Sequence, residues 1–559
     1  MAHPMCETHH ETLERAVEAI RDRGFWSAYP EMPSGKIYGD DAADVGERAF
    51  MAYHGARFPL DQAGTDGWVS AERSPFGIDL DVSYPHPDVD RLLAAAGAAM
   101  PAWRDAGPDT RAGVCLEILH RLNTRSFEMA HAVMHTTGQA FMMAFQAGGP
   151  NAQDRGLEAV AYAYAEMTRQ PAEVSWEKPR GRHEPLRMRK SFHVVPRGIA
   201  LLVACNTFPT WNGYPGLFAS LVTGNPVVVK PHPGATLPFA ITVAVAREVL
   251  GEAGFAPDLV SLAAEREGEG LASVLATRPE MRIVDFTGST AYGRWLEDNA
   301  RQAQVYTEKA GVNSIVIDST DDFAGMCRNI AFSLSLYSGQ MCTTPQNVLV
   351  PRGGIDTTDG HKSFDEVAAG IADAVRELTA DDAKAVEVLG GIANGGVLER
   401  LDRVRSVGTE VLASRTVAHP TFADATVRTP RLASVEITDD AIGQEWFGPM
   451  AFVVATENTA QSIETFRRTA SEQGAITASV YSTNADVLRA AEDAALDAGV
   501  ALSCNLTDGV YVNQSSAFSD FHATGANPAA NASLTDGAFV AGRFRVVQSR
   551  SHVPAEVVA

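Results

Sequence analysis

Leu13, Ala16, Val17 and Ile20 recur at helical spacing and predict a helix over 8–30, stopped by Pro30, Pro33 and Gly35. Residues 55–86 carry scattered Gly and Pro and are expected to be loop. A second helical pattern starts at Pro87-Asp88 and runs through Leu92 and Ala96 toward Trp103, with Pro101 expected to interrupt it. Asp109 is placed as the N-cap of a helix carrying Val114, Leu116, Ile118, Leu119 and Leu122. A third block covers 126–145. His131 and His135 lie four apart within it, but no Glu stands between them and no third ligand is near, so ordinary helix residues are expected. Met134, Met142 and Met143 are expected as core filler.

At 173–195, charges, Pro179, Gly181 and Pro185 alternate with Val174, Trp176, Leu186 and Met188, which predicts a protruding hairpin. From 194 onward the pattern becomes strand–helix–strand. Strands are predicted at 194–203, 226–230, 259–263, 282–286, 313–317, 348–351, 477–481 and 509–513. Helices are predicted at 217–222, 240–250, 323–336, 362–379 and 484–497, and another opens at 287–293. Short strand-like pieces fill 409–437, and the end of the chain is Gly/Ala-rich. Such alternation implies an α/β protein, a parallel sheet with helices on both faces.

Composition narrows the classes. Hydrophobic content of 45% and charged content of 21% are those of a soluble globular protein. A chain of 559 residues makes about three or four domains at the usual ~150 residues each. The net charge of −23, without a Lys/Arg-rich cluster, speaks against nucleic acid and anionic membrane surfaces. Six cysteines lie scattered, with no CxxC pair and no metal-ligand spacing, which suggests a reducing compartment. The N-terminal stretch has no apolar signal region, and the most apolar run, Ile199–Cys205, is too short to span a bilayer. The expectation is a cytoplasmic protein with no membrane and no nucleic-acid partner.

Candidate chemistry centres on Ser338-Gly339-Gln340-Met341-Cys342. A thiol attacks a carbonyl only as thiolate, so Cys342 would need a niche that activates it. Lys230 ends an apolar strand, where open α/β sheets bind ligands. Thr287-Gly288-Ser289-Thr290 runs into a helix, offering free backbone N–H groups to a phosphate. Taken singly, each has a bland alternative: a buried structural cysteine, a solvated lysine, an ordinary strand–helix turn.

In order along the chain, Asn206-Thr207-Phe208-Pro209, Gly224-Asn225-Pro226 through Lys230-Pro231, Phe286-Thr287-Gly288-Ser289-Thr290, Glu308, Gly339-Gln340-Met341-Cys342 and Glu445-Trp446-Phe447-Gly448-Pro449 together resemble the aldehyde dehydrogenase superfamily over about residues 85–515. Within it, the long N-terminal extension, Ala204 through Asn212, Lys230-Pro231-His232-Pro233, and the tail from Phe518-Ser519-Asp520-Phe521-His522 through Gly542-Arg543-Phe544 resemble the phenylacetic acid degradation members of the PaaN type.

The resemblance implies an N-terminal extension with a Rossmann-type coenzyme domain (1–172 and 196–309), an α/β catalytic domain (310–512), and a β oligomerisation arm and tail (173–195 and 513–559). It implies NAD(P)-dependent oxidation of an aldehyde to a carboxylic acid. Cys342 would be the nucleophile, Glu308 the general base and Asn206 an oxyanion donor beside the Cys342 N–H. Lys230, Gly288, Ser289, Glu445 and Phe447 would hold the coenzyme. The implied substrate is a small-molecule aldehyde, a CoA-linked semialdehyde from phenylacetate ring opening, and the implied assembly a homodimer or homotetramer. Glu308 points to hydrolysis rather than acyl transfer to CoA. The alternative is a non-catalytic scaffold of the same pathway that keeps the fold.

The sequence departs from the family pattern in three places. Thr207 stands between Asn206 and Phe208, so Asn206 and Thr207 compete for the oxyanion position. No Lys lies between Thr207 and Val229, where many members carry one. Pro233 stands where NAD-dependent members commonly have a ribose-gripping Glu, which leans the expected coenzyme from NAD toward NADP, with His232 as an added donor.

Overall fold

Uninterrupted apolar runs become strands buried on both faces. Ile199–Val203 and Val227–Lys230 are buried at every position. They lie in a five-stranded, all-parallel sheet ordered 260–262, 227–230, 199–203, 281–288, 304–309. Successive side chains point to opposite faces. Ala200, Leu202, Val227, Val229 and Ile283 therefore enter one core, while Leu201, Val203, Val228 and Val284 enter the other. The computed structural model describes residues 3–70, 72–309 and 311–554. The expected domain bound at residue 310 lies outside them, as do the chain ends.

A seven-stranded sheet follows, ordered 409–412, 431–436, 450–456, 347–351, 314–317, 477–481, 501–504. It is parallel except for its first strand. Its faces separate in the same way: Val316, Leu349, Phe452 and Val480 on one, Ile315, Ile317, Val348 and Val453 on the other. A third sheet joins the hairpin strands Glu173–Arg180 and His183–Pro196 to Phe544–His552. The buried bidentate pair of Arg543 with Asp285 (2.6 and 2.8 Å) ties the start of that last strand to the five-stranded sheet. These elements form an α/β fold with Rossmann-like parallel sheets.

Several expectations are corrected. The first helix ends at Asp22, where Arg23 turns left-handed, rather than near Pro30. Residues 55–86 contain strand Thr65–Val69, which pairs with Tyr84–Pro87. The helix Val89–Asp105 passes through Pro101, because buried Ala99 and Trp103 hold both sides of it against the core. Asp109 lies in the first turn of Gly107–Thr124 rather than at its N-cap. The block 126–145 is two helices divided by left-handed Gly138. Residues 509–513 form turns, not a strand; the edge strand is Ala501–Cys504. Helix Pro150–Met167 carried no expectation, and strand Phe544–His552 falls within 513–559, expected only as arm and tail without a strand of its own. His131 and His135 both stack on Phe50. Among the described residues no helix is long and apolar enough to cross a membrane.

Candidate active site

The Cys342 loop is held by backbone strain and by side chains that bind it. Helix Phe323–Ser335 ends in a single turn in which Tyr337, Ser338 and Gly339 all take positive φ (53, 51 and 66°). Such backbone persists only where the surroundings over-determine it. Ser338 Oγ donates to the carbonyls of Leu389 and Arg428 (both 3.0 Å), and the Tyr337 hydroxyl donates to the Thr137 carbonyl. Gln340 Nε2 donates to the carbonyls of Tyr337 and Gly391. A Cβ on Gly339 would stand 2.3 Å from the Gly448 carbonyl, so no other residue fits there. Beyond the bend, Asn313 Nδ2 donates to the carbonyls of Cys342 (2.8 Å) and Thr344 (2.9 Å). The thiol is left half-buried, facing two cavities.

Glu308 lies near the end of strand Gln304–Lys309 and is 3% exposed. Its Oε2 accepts from Asn212 Nδ2 (2.9 Å) and its Oε1 faces His522 Nε2 (3.0 Å). The same Nε2 lies 3.7 Å from Cys342 Sγ. Burial works to raise the Glu308 pKa, but facing His522, with hydrogen bonds from Cys342 and Asn212, holds it below the usual carboxylate value. Burial and the adjacent Glu308 carboxylate push the Cys342 thiol well above its ordinary value. The resting pair is thus a carboxylate beside a protonated thiol.

Asn212 and His522 carry no role in the sequence reading. Asn212 rides on helix Pro209–Val222, packed in the core. His522 comes from the tail, 180 residues from Cys342. Its backbone bridges Leu534 in both directions, and its ring meets Trp211 edge-on at 4.7 Å. Fully buried Arg155 fixes this segment, donating to the carbonyls of Asp520 (2.9 Å) and Leu534 (3.3 Å) and to Ser515 Oγ (3.1 Å). The tail also runs along the edge of the Glu308 strand, through Lys309 N–H to the Ala529 carbonyl and Asn531 N–H to the Thr307 carbonyl. The only sequence signal for His522 is its place in the Phe518–His522 stretch.

Asn206 stands apart from this cluster. Its Nδ2 donates to the Thr136 carbonyl at 3.4 Å, while the Thr207 carbonyl accepts from Gln139 Nε2. Both residues line the second cavity with Cys342.

That cavity, about 620 Å³, also gathers Lys230, Gly288, Ser289, Glu445 and Phe447. Lys230 ends its strand buried and ion-paired with Glu265, which the sequence reading did not single out. Glu265 Oε2 also accepts from Leu271 N–H (2.8 Å), which fixes the carboxylate. Burial lowers the Lys230 pKa against the opposing pull of Glu265. Ser289 caps the helix Thr290–Asn299, its Oγ accepting from Tyr292 N–H. A Cβ on Gly288 would stand 2.7 Å from the Phe286 ring, so the backbone there stays bare. Glu445 is pushed up to about 7 by burial, with Arg400 opposing. Arg400 Nε donates to the Phe447 carbonyl (2.8 Å). His232 turns Nδ1 to the Gly234 N–H (3.1 Å). A buried cation, a bare turn at a helix N-terminus and a carboxylate in one cleft fit the ribose, phosphate and ring portions of a nicotinamide dinucleotide.

The first cavity, about 650 Å³, opens on the other side of Cys342. Met142, Met143, Trp211, Phe332 and Tyr511 give it apolar walls, and Glu31, Glu387 and Asp520 add acidic groups. It has no Lys or Arg among its described lining residues.

The profile of the Aldehyde dehydrogenase family matches residues 83–527. The chain is 24% identical over 433 residues to Aldehyde dehydrogenase LUC3 of a Fusarium species, covering 76% of this chain and 82% of that protein. It is 25% identical over 393 residues to N-succinylglutamate 5-semialdehyde dehydrogenase of Chromobacterium violaceum, covering 67% and 73%. Among solved structures, an NAD-dependent aldehyde dehydrogenase from Burkholderia multivorans is 60% identical, with a TM-score of 0.98 over 99% of this chain and 100% of that one. A Thermus 1-pyrroline-5-carboxylate dehydrogenase with bound NAD shares the fold at 18% identity, with a TM-score of 0.71 over 95% of this chain and 99% of that one. The chain is an oxidoreductase and belongs to the aldehyde dehydrogenase family.

Proposed function

We propose that the protein oxidises an aldehyde to a carboxylic acid with NAD as coenzyme. The observation that carries this reading is the meeting of Cys342, Glu308 and His522 at the wall between two cavities, one suited to a dinucleotide and one to an acyl chain. Bound nicotinamide supplies the hydride acceptor. Glu308, ionised at rest, is placed to take the thiol proton, and Cys342 Sγ then attacks the aldehyde carbon to give a thiohemiacetal. The Cys342 N–H and the Asn206 amide are the proposed donors to the oxyanion. Loss of hydride leaves a thioester on Cys342. Glu308 releases that proton to solvent, then takes one from the water that hydrolyses the thioester and returns it to the departing Cys342 sulfur. His522 and Asn212 hold one carboxylate oxygen each and so position the base.

The lean toward NADP rests on Pro233. Glu265, which the chain brings beside Lys230 from the end of another strand, restores a carboxylate at that end of the cleft. It would accept from ribose hydroxyls and repel a 2′-phosphate. The 60% identical structure is of an NAD-dependent enzyme. Both favour NAD.

For substrate, we propose a semialdehyde carried on a CoA thioester and derived from phenylacetate ring opening. The support is the resemblance of Ala204–Asn212 and Phe518–His522 to PaaN-type members, together with a cavity wide enough for an acyl chain. The acidic mouth favours a second reading, a neutral hydrophobic aldehyde, because it offers no cation to a CoA phosphate. The test is kcat/KM for the CoA-linked semialdehyde against the free aldehyde of equal chain length. A CoA-linked value about tenfold or more higher supports the first reading, and the reverse ranking supports the second. The arm of strands 173–180, 183–196 and 544–552, with Val174, Leu186, Val546 and Val547 exposed, is proposed as the surface that joins subunits.

A further inference from the structure

Sulfur, nitrogen and oxygen donors converge on one point in the centre. His522 Nε2 lies 3.0 Å from Glu308 Oε1 and 3.7 Å from Cys342 Sγ, and all three ligand atoms lie within 4.8 Å of one another. An imidazole that relays a proton from a nucleophile to a carboxylate uses its two ring nitrogens, one for each partner. Here both partners face the same nitrogen. That is how ligands stand around a shared centre.

We propose that Glu308, Cys342 and His522 form a binding site for a zinc-class divalent cation, and that the bound cation holds the enzyme reversibly inactive. The inactivation rests on the dehydrogenase reading above; the binding does not.

The distances suit this cation. With Zn–S near 2.3 Å and Zn–N and Zn–O near 2.0–2.2 Å, neighbouring ligands of a tetrahedral site stand roughly 3.3–3.6 Å apart. The two measured separations bracket that range, so small side-chain movements close the site. The ligand set is selective as well. A thiolate and an imidazole favour zinc over magnesium or calcium, which take oxygen ligands.

The surroundings resemble a built site. Glu308 and His522 are each 3% exposed. Asn212 fixes the second oxygen of Glu308, and Trp211 and the Leu534 bridge fix the His522 ring and backbone, as outer groups do around metal ligands. Cys342 and His522 both open on the 650 Å³ cavity, which gives the ion a way in and leaves a fourth position for water. Binding replaces the Cys342 S–H bond with an S–Zn bond and releases one proton to solvent, without any redox change. It occupies nucleophile and base together, so neither is free to react.

The test uses the full-length protein, stripped of metal with a chelator and titrated with Co²⁺ and then Zn²⁺. A thiolate-to-cobalt charge-transfer absorption should grow to about one equivalent per chain. It should vanish in Cys342→Ser and need at least about tenfold more cobalt in His522→Ala, since losing a ligand costs no less than losing an outer partner. Saturating Zn²⁺ should slow alkylation of Cys342 about tenfold or more, and EDTA should restore the rate. No thiolate band, a band that survives Cys342→Ser (from exposed Cys504, for instance), or alkylation indifferent to Zn²⁺ would overturn the proposal. Aldehyde oxidation in chelator-treated buffer separates the two readings. Active enzyme without the band overturns the metal site alone, whereas a Cys342-dependent band in protein that oxidises no aldehyde overturns the dehydrogenase reading alone.

Discussion

His522 and Asn212 each occupy one oxygen of a buried carboxylate, so their loss should fall on catalysis more than on coenzyme binding. His522→Ala is expected to lower kcat about tenfold to a hundredfold while the NAD Kd from calorimetry stays within about twofold. A parallel loss of NAD binding would mean that the tail merely supports the fold. Asn206→Ala, if Asn206 serves the oxyanion, should cost about a hundredfold in kcat with alkylation of Cys342 unchanged. Glu445 adds a pH signature. Its carboxyl sits near 7, so it becomes a full acceptor for ribose hydroxyls only as pH rises through about 7. NAD affinity should therefore increase from about pH 6 to about pH 8, and Glu445→Gln should flatten that rise in the same titration. Cys342, Lys230 and Glu445 were legible in the sequence because each sits in a sharp local motif. His522 and Glu265 were not. His522 reaches Glu308 from 214 residues away, and Glu265 meets Lys230 only because their strands are neighbours in the sheet.

At the scale of elements, the bend before Cys342 stores left-handed backbone at three successive positions. Gly339→Ala would add both a positive-φ penalty and a clash with the Gly448 carbonyl, and should destabilise the protein by roughly 1–3 kcal/mol or more. Its thermal midpoint should drop by several degrees with kcat reduced; an unchanged midpoint and rate would show that the bend is not held as described. Strands buried on both faces were readable as continuous apolar runs, as in Ile199–Val203 and Val227–Lys230, although Met450–Thr456, buried at every position, was missed. Strand Phe544–His552 was not, because all but its first residue are exposed and its place comes from backbone pairing with 183–196. Residues 509–513 look like a strand because Val510 and Tyr511 are apolar, but Tyr511 stacks on Phe332 beside the first cavity instead of entering a sheet.

For the molecule as a whole, two buried acids link stability to pH. Asp154, which accepts from Ser27 Oγ and Ala28 N–H, and Glu72 are both raised to about 7 by burial, against the lowering effect of their hydrogen bonds. Folding therefore favours their protonated forms. The stability they add is full below about pH 4, the ordinary carboxylate value, and lost as pH rises through about 7. This contribution to the thermal midpoint should therefore fall from about pH 5.5 to about pH 8. Asp154→Asn should reduce that slope; a slope unchanged by the substitution would contradict the assignment. The central claim, a Cys342-dependent oxidation linked to NAD, is tested most directly by following NADH formation with an aldehyde panel in wild type, Cys342→Ser and Lys230→Ala. NADH should form in wild type, fall by about a thousandfold or more in Cys342→Ser, and require higher NAD in Lys230→Ala. NADH formation that survives Cys342→Ser, or its absence with every aldehyde in a protein that binds NAD, would contradict the account.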